Sequence, residues 1–456
     1  MAIIFSRGRF YYLDRSVYED GCRVEFFRTG PRIGEVLEFT KLIVSQSGPL
    51  YGTVRIQGAK NSVLKLMAAT LLCEGEHLIR NVPEITDVAI MSELLSSMGS
   101  KVTWKTPNTL SICTPATKDL IPVASYELVD KMRASIVVLG PLMARMKRAQ
   151  VSLPGGDDFG HRPIDMHLDA LSHLGCTFSV SHGYVSGVCE ELIGQDIVLE
   201  FPSHTATDNV LMASVLADSV TTIDNAAREP EVCDLVAMLQ EMGAKVEGAG
   251  TSHLRVIGTK SLTPADHEVI PDRVEAATFI CAVGVLGGEV QLDGARNDHM
   301  DMLVRKMRKM GVDITENSSG LLVRSDGSVR ATDVSTLPYP GVATDYKPMI
   351  VAVLSVSDGV SIVTENLFSG RFRYIDELRR MAANIRTEGH HVIVRGVNRL
   401  SGAPIKAPDI RAGAALVIAA LVAEGQSEIS GVAHIDRGYE RLDEKLRALG
   451  ASIERE

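Results

Sequence analysis

The segment of residues 151–167, with the sequence VSLPGGDDFGHRPIDMH, contains the side chains of this chain that are best suited to chemistry. It places a Gly-Gly turn, the adjacent carboxyls of Asp157 and Asp158 and the guanidinium of Arg162 between a strand-like run and an amphipathic helix. A carboxylic acid can deliver a proton, and an arginine can bind an anion through paired hydrogen bonds. Either carboxylate could instead only cap the following helix, and the nearby arginine favours the charged carboxylate, which opposes a role as proton donor.

A second candidate is the sequence GAKNS at residues 58–62, between a predicted strand and a predicted buried helix. The backbone N–H groups of a helix start, with the ammonium of Lys60 and the amide of Asn61 beside them, can bind an anion. The alternative is an ordinary helix start with an exposed lysine. Arg133, in the sequence MRASI, offers a further positive charge ahead of the first segment.

The last third of the chain contains several carboxylates and arginines in short, turn-like sequences. They are Asp345 in YPGVATDYKP, Arg371 in LFSGRFR, Asp409 and Arg411 in APDIRAG, and Asp436 and Arg437 in HIDRGYER. Arginines that converge on one cleft bind phosphate and carboxylate groups through paired hydrogen bonds. Any single acid and arginine close in sequence could also form a structural ion pair at a helix start.

A sixfold repeat of about 70 residues underlies these motifs. In each copy, apolar residues at i, i+3, i+4 and i+7 predict an amphipathic helix, which ends at a glycine and is followed by a short strand. The turn glycines are Gly99, Gly175, Gly243, Gly311 and Gly450, and Asn384 lies near the sixth turn. Between the copies, runs of small apolar residues such as AGAALVIAALVAEG predict helices that are buried on nearly all sides.

Six units of this length are too long for a solenoid and too few for an eightfold barrel. The simplest packing is an α/β protein of two domains, each of three βαβ-like repeats. A cleft between two such domains is the natural place for a ligand, because domains of one chain move relative to each other by default.

Composition limits the classes of function. The chain has 456 residues, of which 45% are hydrophobic and 23% charged, and a formal net charge of -10. The deficit of Lys and Arg argues against binding nucleic acid or a membrane surface. Seven cysteines without a CxxC pair indicate a reduced, cytoplasmic protein and support neither a zinc site nor a disulfide framework. Residues 1–40 are expected to be a loosely held extension or a start assigned too far upstream.

From about Lys41 to Glu456 the chain resembles the enolpyruvyl transferases of the UDP-N-acetylglucosamine 1-carboxyvinyltransferase family. The resemblance is carried by motifs in the family's order: GAKNS, RASI, LPGG, NAAREPE, YPG followed by TD, LSGA and HIDRGYER. It implies two inside-out α/β domains joined by a double-crossover hinge. The implied domains are residues 61–270, with 151–163 as a mobile loop, and residues 41–60 plus 271–456.

The resemblance also implies a reaction. The enolpyruvyl group of phosphoenolpyruvate would pass to a hydroxyl of a uridine nucleotide, with release of phosphate and without a metal or an organic cofactor. The residues implied to hold the phosphate and carboxylate of phosphoenolpyruvate are Lys60, Arg162 and Arg437, helped by Arg133 and Arg411. Fixed guanidinium groups in a closed, dry cleft stabilise the charge that develops in such a reaction.

The acceptor side follows from the same resemblance. Asn61 would contact the acceptor, and Asp345 is the implied general base for the attacking hydroxyl. The implied uracil pocket and further acceptor contacts comprise Pro163, Ile164, Asp165, Met166, Ser203, Thr205, Phe368, Arg371 and Asp409.

The chain departs from the family at the proton-handling position, where most members carry a cysteine and this chain carries Asp157. That cysteine is the residue which the epoxide antibiotic fosfomycin alkylates, whereas an aspartate can still deliver a proton. The departure predicts a competent enzyme that fosfomycin does not inactivate covalently.

Further departures cluster on the acceptor side. They are Thr205 in place of a glycine that approaches the diphosphate in the family, Tyr346 and Lys347 after Asp345, and Ser369 and Gly370 after Phe368. The favoured acceptor is the 3-hydroxyl of UDP-N-acetylglucosamine, as in peptidoglycan synthesis. The main alternative is the 3'-hydroxyl of UMP, as in nucleoside-antibiotic biosynthesis. A catalytically silent paralogue that binds uridine nucleotides is a third hypothesis.

Overall fold

The computed structural model describes residues 3–6, 9–19, 22–29, 40–153, 164–368 and 370–456. Before residue 30 the backbone forms a three-stranded antiparallel sheet, with strands Ile3–Ser6, Arg9–Glu19 and Cys22–Thr29 in that spatial order. All candidate site residues that the structure describes lie after this sheet, in the body of the molecule.

Two hydrophobic cores organise the body of the molecule. One core gathers buried side chains from residues 59–269 and defines the first domain. The other gathers buried side chains from residues 42–56 and 274–453 and defines the second domain. The predicted fold class, two α/β domains, is therefore confirmed, while the exact residues at which the domains begin and end stay a prediction.

A double crossover joins the domains. Where the two crossing segments meet, Ala59 donates its backbone N–H to Ile270 O at 2.7 Å, and Asp272 donates its backbone N–H to Gln57 O at 2.8 Å. The chain ahead of the crossover also belongs to the second domain, because strand Leu42–Ser45 pairs with strands near the carboxyl end of the chain. The two segments therefore lie side by side and are hydrogen-bonded to each other.

The strands of the body form six sheets of four strands, three in each domain. In spatial order, those of the first domain are Asp266–Glu268, Gly75–Arg80, Thr109–Thr114 and Lys101–Thr106; Thr177–Ser181, Tyr184–Val188, Arg148–Ser152 and Val123–Ala124; and Asp196–Val198, Val220–Asp224, His253–Ile257 and Lys245–Glu247. Those of the second domain are Asp313–Asn317, Gly320–Ser325, Gly288–Asp293 and Leu50–Arg55; Val334–Ser335, Val360–Thr364, His391–Arg395 and Asn384–Glu388; and Pro404–Lys406, Gln426–Ser430, Leu42–Ser45 and Ile453–Arg455. Every sheet combines one parallel pair with two antiparallel pairs, so the same unit occurs six times.

Each unit contributes an inner and an outer helix. The inner helices are largely buried in the cores, which explains their apolar sequences, and they are Lys60–Ala69, Leu139–Met146, His204–Ser214, Arg273–Leu286, Lys347–Leu354 and Ile410–Val422. The outer helices are Thr86–Ser97, Asp165–His173, Pro230–Glu241, Asp301–Met310, Tyr374–Arg380 and Leu442–Ala448. Shorter helices, most of them 3₁₀ turns, are Thr70–Leu72, Thr117–Asp119, Tyr126–Val129, Arg133–Val138, Asn297–His299 and Val432–Asp436. None of the helices in the described ranges is both long and apolar enough to cross a membrane.

The turns after the outer helices follow the predicted glycines in five units. Gly99, Gly175, Gly243, Gly311 and Gly450 all have φ between +99° and +110°. Glycine adopts this left-handed conformation without a steric cost. At the sixth turn Ala382, at φ +67°, takes the left-handed conformation, whereas Asn384 begins the following strand. The sixth turn therefore lies two residues before Asn384, and a non-glycine residue takes the left-handed conformation there.

Candidate active site

A carboxylate that bridges two cations lies where the two domains meet. Asp87, in the first turn of an outer helix of the first domain, accepts a hydrogen bond from Arg437 Nε at 2.9 Å. Its other oxygen lies 2.9 Å from Lys60 Nζ. Lys60 begins an inner helix of the first domain, and Arg437 directly follows a short helix of the second. These three residues, which we call the Asp87 cluster, therefore connect the domains.

Lys60 is 9% exposed, which excludes the alternative of an exposed lysine at an ordinary helix start. Burial lowers the pKa of its ammonium, Asp87 opposes that shift, and Arg411 and Arg437 add to it. The backbone N–H of Lys60 donates to Asp272 Oδ2 at 3.1 Å. Because the other oxygen of Asp272 caps an inner helix of the second domain, one carboxylate fixes helix starts on both sides of the crossover.

Gly438 brings three cationic side chains close together. A Cβ added to Gly438 would lie 2.5 Å from Ile410 Cγ2, 3.5 Å from Lys60 Cδ and 3.6 Å from Arg411 Nη1. Two carbon atoms do not approach to 2.5 Å without a shift of the surrounding structure, so glycine is required here for close approach rather than for its φ. Lys60 and Arg411 therefore both approach this glycine, and Arg437, its neighbour in the chain, shares the carboxylate of Asp87 with Lys60.

A second carboxylate, Asp345, also binds two cations. It accepts a hydrogen bond from Arg371 Nη1 at 2.7 Å and another from Arg411 Nε at 3.2 Å. The two arginine side chains are 4% and 3% exposed, whereas the side chain of Asp345 is 25% exposed. Burial alone would raise the pKa of Asp345, but Arg371 and Arg411 hold it well below its usual range. This Asp345 cluster, which lies wholly in the second domain, therefore presents a charged and partly exposed carboxylate.

A fully buried ion pair supports the Asp345 cluster. Lys347 Nζ lies 2.8 Å from Glu365 Oε2 and donates a hydrogen bond to Arg371 O at 2.6 Å. Glu365 accepts hydrogen bonds from the backbone N–H of Phe368 at 3.1 Å and from the hydroxyl of Thr344 at 2.7 Å. Lys347, which the resemblance marks as an unusual residue, therefore binds Arg371 directly and Phe368 through Glu365.

Tyr346, another departure, takes part in a second contact between the domains. Arg273 donates one hydrogen bond to Tyr346 Oη at 3.0 Å and another to Glu231 Oε1 at 2.8 Å. Glu231 belongs to the first domain, whereas Arg273 and Tyr346 belong to the second. Burial alone would raise the pKa of Glu231, but Arg273 lowers it to about 2. A charged, buried pair therefore crosses the interface close to the crossover.

On the first domain, His167 is buried next to residues expected to bind the acceptor. Its Nδ1 accepts a hydrogen bond from the amide of Asn209 at 2.8 Å, and its Nε2 lies 3.3 Å from Thr205 Oγ1. Burial lowers the pKa of His167 to about 4, and the charge of Arg133 adds to the shift. A neutral imidazole whose Nδ1 accepts carries its proton on Nε2. His167 therefore donates to Thr205 and fixes the direction of its hydroxyl.

The acids and arginines that are close in sequence do not pair as neighbours. Asp409 accepts two backbone N–H groups, one of them from Arg411, at 2.9 Å each and so caps the inner helix that follows. Asp436 pairs with Arg455 at 2.8 and 2.9 Å, whereas the adjacent Arg437 reaches across to the first domain. Asp409 and Arg411, and likewise Asp436 and Arg437, therefore do not form ion pairs with each other, and the two arginines pair with Asp345 and Asp87 instead.

The other predicted site residues take varied positions. Asn61, Arg133, Met166, Ser203, Thr205 and Phe368 are partly buried, Ile164 is buried, and Asp165 is exposed. Ser203 accepts a backbone N–H at 3.3 Å and caps an inner helix. Arg133 begins a 3₁₀ helix, and burial lowers the pKa of its guanidinium. Asp157, Asp158, Arg162 and Pro163 lie outside the described residues.

Three residues of the site are missing from the sequence-based prediction: Asp87, Asp272 and Gly438. An acidic residue stands in the first turn of all six outer helices, where it complements the helix dipole, so nothing in the sequence distinguishes Asp87 from the other five. Asp272 has the appearance of an ordinary helix cap. Gly438 could have been found, because a glycine beside an anion-binding arginine signals close approach of neighbouring groups.

The sequence matches the family EPSP synthase (3-phosphoshikimate 1-carboxyvinyltransferase) over residues 44–446. It is 46% identical over 416 residues to UDP-N-acetylglucosamine 1-carboxyvinyltransferase 1 of Caldanaerobacter subterraneus subsp. tengcongensis, with 91% of this chain and 99% of that protein covered. It is 47% identical over 420 residues to UDP-N-acetylglucosamine 1-carboxyvinyltransferase of Nocardia farcinica, with 91% and 98% covered.

Two solved structures share the fold. The enolpyruvyl transferase NikO from Streptomyces tendae matches with a TM-score of 0.82 at 24% identity, over 91% of this chain and 99% of that chain. EPSP synthase from Acinetobacter baumannii matches with a TM-score of 0.73 at 18% identity, over 91% of this chain and 100% of that chain. At these identities the two matches support the fold alone.

Proposed function

Because the chain belongs to the 1-carboxyvinyltransferase (enolpyruvyl transferase) family, we propose that it transfers the enolpyruvyl group of phosphoenolpyruvate to a hydroxyl of UDP-N-acetylglucosamine, with release of phosphate. The observation that carries the proposal is the arrangement around Gly438, where Lys60, Arg411 and Arg437 meet beside the carboxylate of Asp345. Cations for an anionic donor thus lie next to a candidate base for the acceptor hydroxyl.

The cations of the two clusters would bind the donor. Phosphoenolpyruvate carries a phosphate and a carboxylate, and guanidinium groups bind both through paired, charge-assisted hydrogen bonds. Lys60 and Arg437 come from different domains, so an anion between them would draw the domains together. Contact between the domains excludes water and strengthens these interactions in the transition state.

Asp345 would accept the proton of the attacking hydroxyl. A base works best when its pKa lies near the operating pH, and Arg371 and Arg411 keep the pKa of Asp345 far lower. When the donor's anionic groups take hydrogen bonds from Arg411, that arginine's pull on Asp345 weakens and the carboxylate becomes more basic. Binding of phosphoenolpyruvate would therefore prepare the base.

UDP-N-acetylglucosamine is proposed as the acceptor because the relatives at 46% and 47% identity carry that name and are covered almost completely. The expected attacking group is its 3-hydroxyl, as in peptidoglycan synthesis. None of Cys73, Cys113, Cys176, Cys189, Cys233 and Cys281 forms a disulfide, which suits a reducing compartment, and we propose that the reaction takes place in the cytoplasm.

The decisive measurement is phosphate release from phosphoenolpyruvate with UDP-N-acetylglucosamine or UMP in parallel. We expect release with UDP-N-acetylglucosamine and a value of kcat/KM at least about 100-fold lower with UMP, because UMP lacks the groups that would position the sugar. Lys60→Met serves as the inactive control. A preference for UMP would transfer the proposal to that acceptor, and no release with either would leave a nucleotide-binding paralogue.

Asp157 stands outside the described residues, and its proposed role rests on the family resemblance and on the chemistry of its carboxyl group. The thiolate of a cysteine attacks an epoxide readily, and a carboxylate is a weaker nucleophile. We therefore expect that incubation with fosfomycin causes no time-dependent loss of activity and adds no mass to the protein. Asp157→Cys should become sensitive, and a covalent adduct on the unmodified chain would contradict the proposal.

A further inference from the structure

A histidine on strand Asp266–Glu268 of the first domain lies between two carboxylates. His267, 5% exposed, points its Nε2 at Asp234 Oδ1 at 2.9 Å and its Nδ1 at Glu241 Oε1 at 3.0 Å. Carboxylate oxygens only accept hydrogen bonds, so both ring nitrogens must donate. The geometry is therefore that of an imidazolium that compensates the buried charge of Asp234.

Asp234 extends this contact to both sides of Lys60. Its Oδ2 accepts a hydrogen bond from the hydroxyl of Ser62, two residues after Lys60. The same oxygen lies 3.4 Å from the backbone N of Ile270, which donates to it. Ile270 in turn accepts the backbone N–H of Ala59 at 2.7 Å, directly before Lys60. One carboxylate thus restrains the residues that flank the lysine.

The charge of Asp234 decides how firmly it restrains the residues that flank Lys60. Asp234 is 4% exposed, and a buried carboxylate without a cation is strongly destabilised. Burial alone would lower the pKa of His267, but its hydrogen bonds to Asp234 and Glu241 raise it instead. The imidazolium therefore compensates the buried carboxylate of Asp234, and hydrogen bonds between charged groups are the stronger ones.

We infer that His267 and Asp234 are positioning residues for the phosphoenolpyruvate site, which act by fixing the start of the helix that carries Lys60. The inference depends on the proposed role of Lys60 in binding the donor. Within the described ranges no hydrogen bond or ion pair joins either residue to Lys60, and the effect passes through Ser62 and through the crossover segment. A change at His267 should consequently alter donor binding more than acceptor binding.

The chain offers a matched control for His267. His253, also on a strand of the first domain, pairs with Asp224 at 2.7 Å, but the two side chains are 56% and 49% exposed. No hydrogen bond in the described part of the chain connects Asp224 to the Lys60 helix. His253→Gln thus removes a histidine–aspartate pair without the proposed connection.

Amide hydrogen exchange tests the positioning without reference to activity. In His267→Gln the amides of Ala59, Ser62 and Val63, which are hydrogen-bonded around the start of this helix, should exchange about tenfold faster. They should not change in His253→Gln. Ser62→Ala, which removes only the hydroxyl from a buried helix position, should act in the same direction and decides the question if His267→Gln does not fold.

Steady-state kinetics tests the consequence for the donor. His267→Gln and Ser62→Ala should raise KM for phosphoenolpyruvate about five- to tenfold and change KM for the acceptor less than about twofold. The effects in the double variant should be less than additive because both act through Asp234. Unchanged exchange in both variants overturns the inference, and so does faster exchange with an unchanged KM for phosphoenolpyruvate. Absence of phosphate release in the unmodified chain would instead refute the proposed function.

Discussion

Asp87 and Asp345 each bind two cationic side chains, yet their clusters differ in where those cations come from. Asp87 takes Lys60 from its own domain and Arg437 from the other. Asp345, Arg371 and Arg411 all belong to the second domain. Asp87 is 1% exposed, whereas the side chain of Asp345 is 25% exposed.

This difference in the origin of the cations indicates different roles for the two carboxylates. A cluster inside one domain is fixed by the fold of that domain and stays intact when the domains move. A cluster shared between domains is complete only when they are in contact, so its energy contributes to that contact. We therefore interpret the Asp345 cluster as reaction chemistry fixed within one domain. We interpret the Asp87 cluster as a charged contact between the domains that also presents Lys60 and Arg437 to the donor.

The largest expected effect is that of Asp345→Asn. An amide cannot accept the hydroxyl proton as a base, so kcat should fall by about 1,000-fold, while KM for phosphoenolpyruvate changes little. Asp443→Asn, which alters an acid bonded to Arg455 at 2.8 Å elsewhere in the second domain, is the control and should retain kcat. A fall of kcat below about tenfold for Asp345→Asn would remove the base from this cluster and break the comparison.

A smaller effect, on the free energy of unfolding, is expected for Asp87→Asn. Removing one partner from a buried charge cluster costs about 3–5 kcal/mol, because the remaining cations lose their compensation. Here the loss falls on the contact between domains, so urea unfolding should separate into two steps. Asp208→Asn, which disrupts a buried pair with Lys65 inside the first domain, should destabilise the protein without that separation. A single unfolding step for Asp87→Asn would contradict the interpretation of a charged contact between the domains.

The smallest expected effect is on the pH dependence of the free energy of unfolding. It tests whether His167, on the acceptor side of the first domain, is held neutral. The pKa of His167 is lowered to about 4 by burial and by Arg133, against about 6.5 in an unfolded chain. Between these values the unfolded chain binds more protons, so His167 favours folding above about pH 6.5, and this contribution is lost as the pH falls towards 4. The loss should reach at most about 3 kcal/mol.

Unfolding free energies measured in urea from pH 4 to 7.5 check this prediction. His167→Gln should flatten the pH dependence in that range, because glutamine does not titrate. His173→Gln, at a half-exposed position of the same domain, should keep the dependence of the unmodified chain. Equal slopes for the unmodified chain and His167→Gln would show that His167 is not held neutral.

Much of the fold could be predicted from periodicity. The amphipathic pattern of the outer helices and the five turn glycines locate the repeated unit, because both are local consequences of helix geometry and of glycine's freedom at positive φ. The sixth turn has no glycine, so this signal could not identify its turn residue. Ala382 adopts a conformation that its residue type disfavours, and only the surrounding packing makes it do so.

Only part of the candidate site could be predicted from the sequence. Lys60, Arg411 and Arg437 stood in recognisable motifs, but the motifs also suggested pairs between neighbours that the structure does not contain. Charges pair with whatever lies within a few ångströms, and in this fold the partner of Arg437 is Asp87, 350 residues away in the chain. Sequence spacing carries no information about such a partner.

By itself, the sequence determined the repeated α/β unit, the apolar inner helices and the residue types available for binding an anionic donor. These follow from side-chain chemistry and from contacts within about four residues of each other. Only the tertiary structure decided which carboxylate neutralises which cation, that Gly438 must lack a side chain, and that the Asp87 cluster joins the domains. The physical reason is that a buried charge is tolerable only beside an opposite charge, and the packing within and between the two domains sets which charges meet.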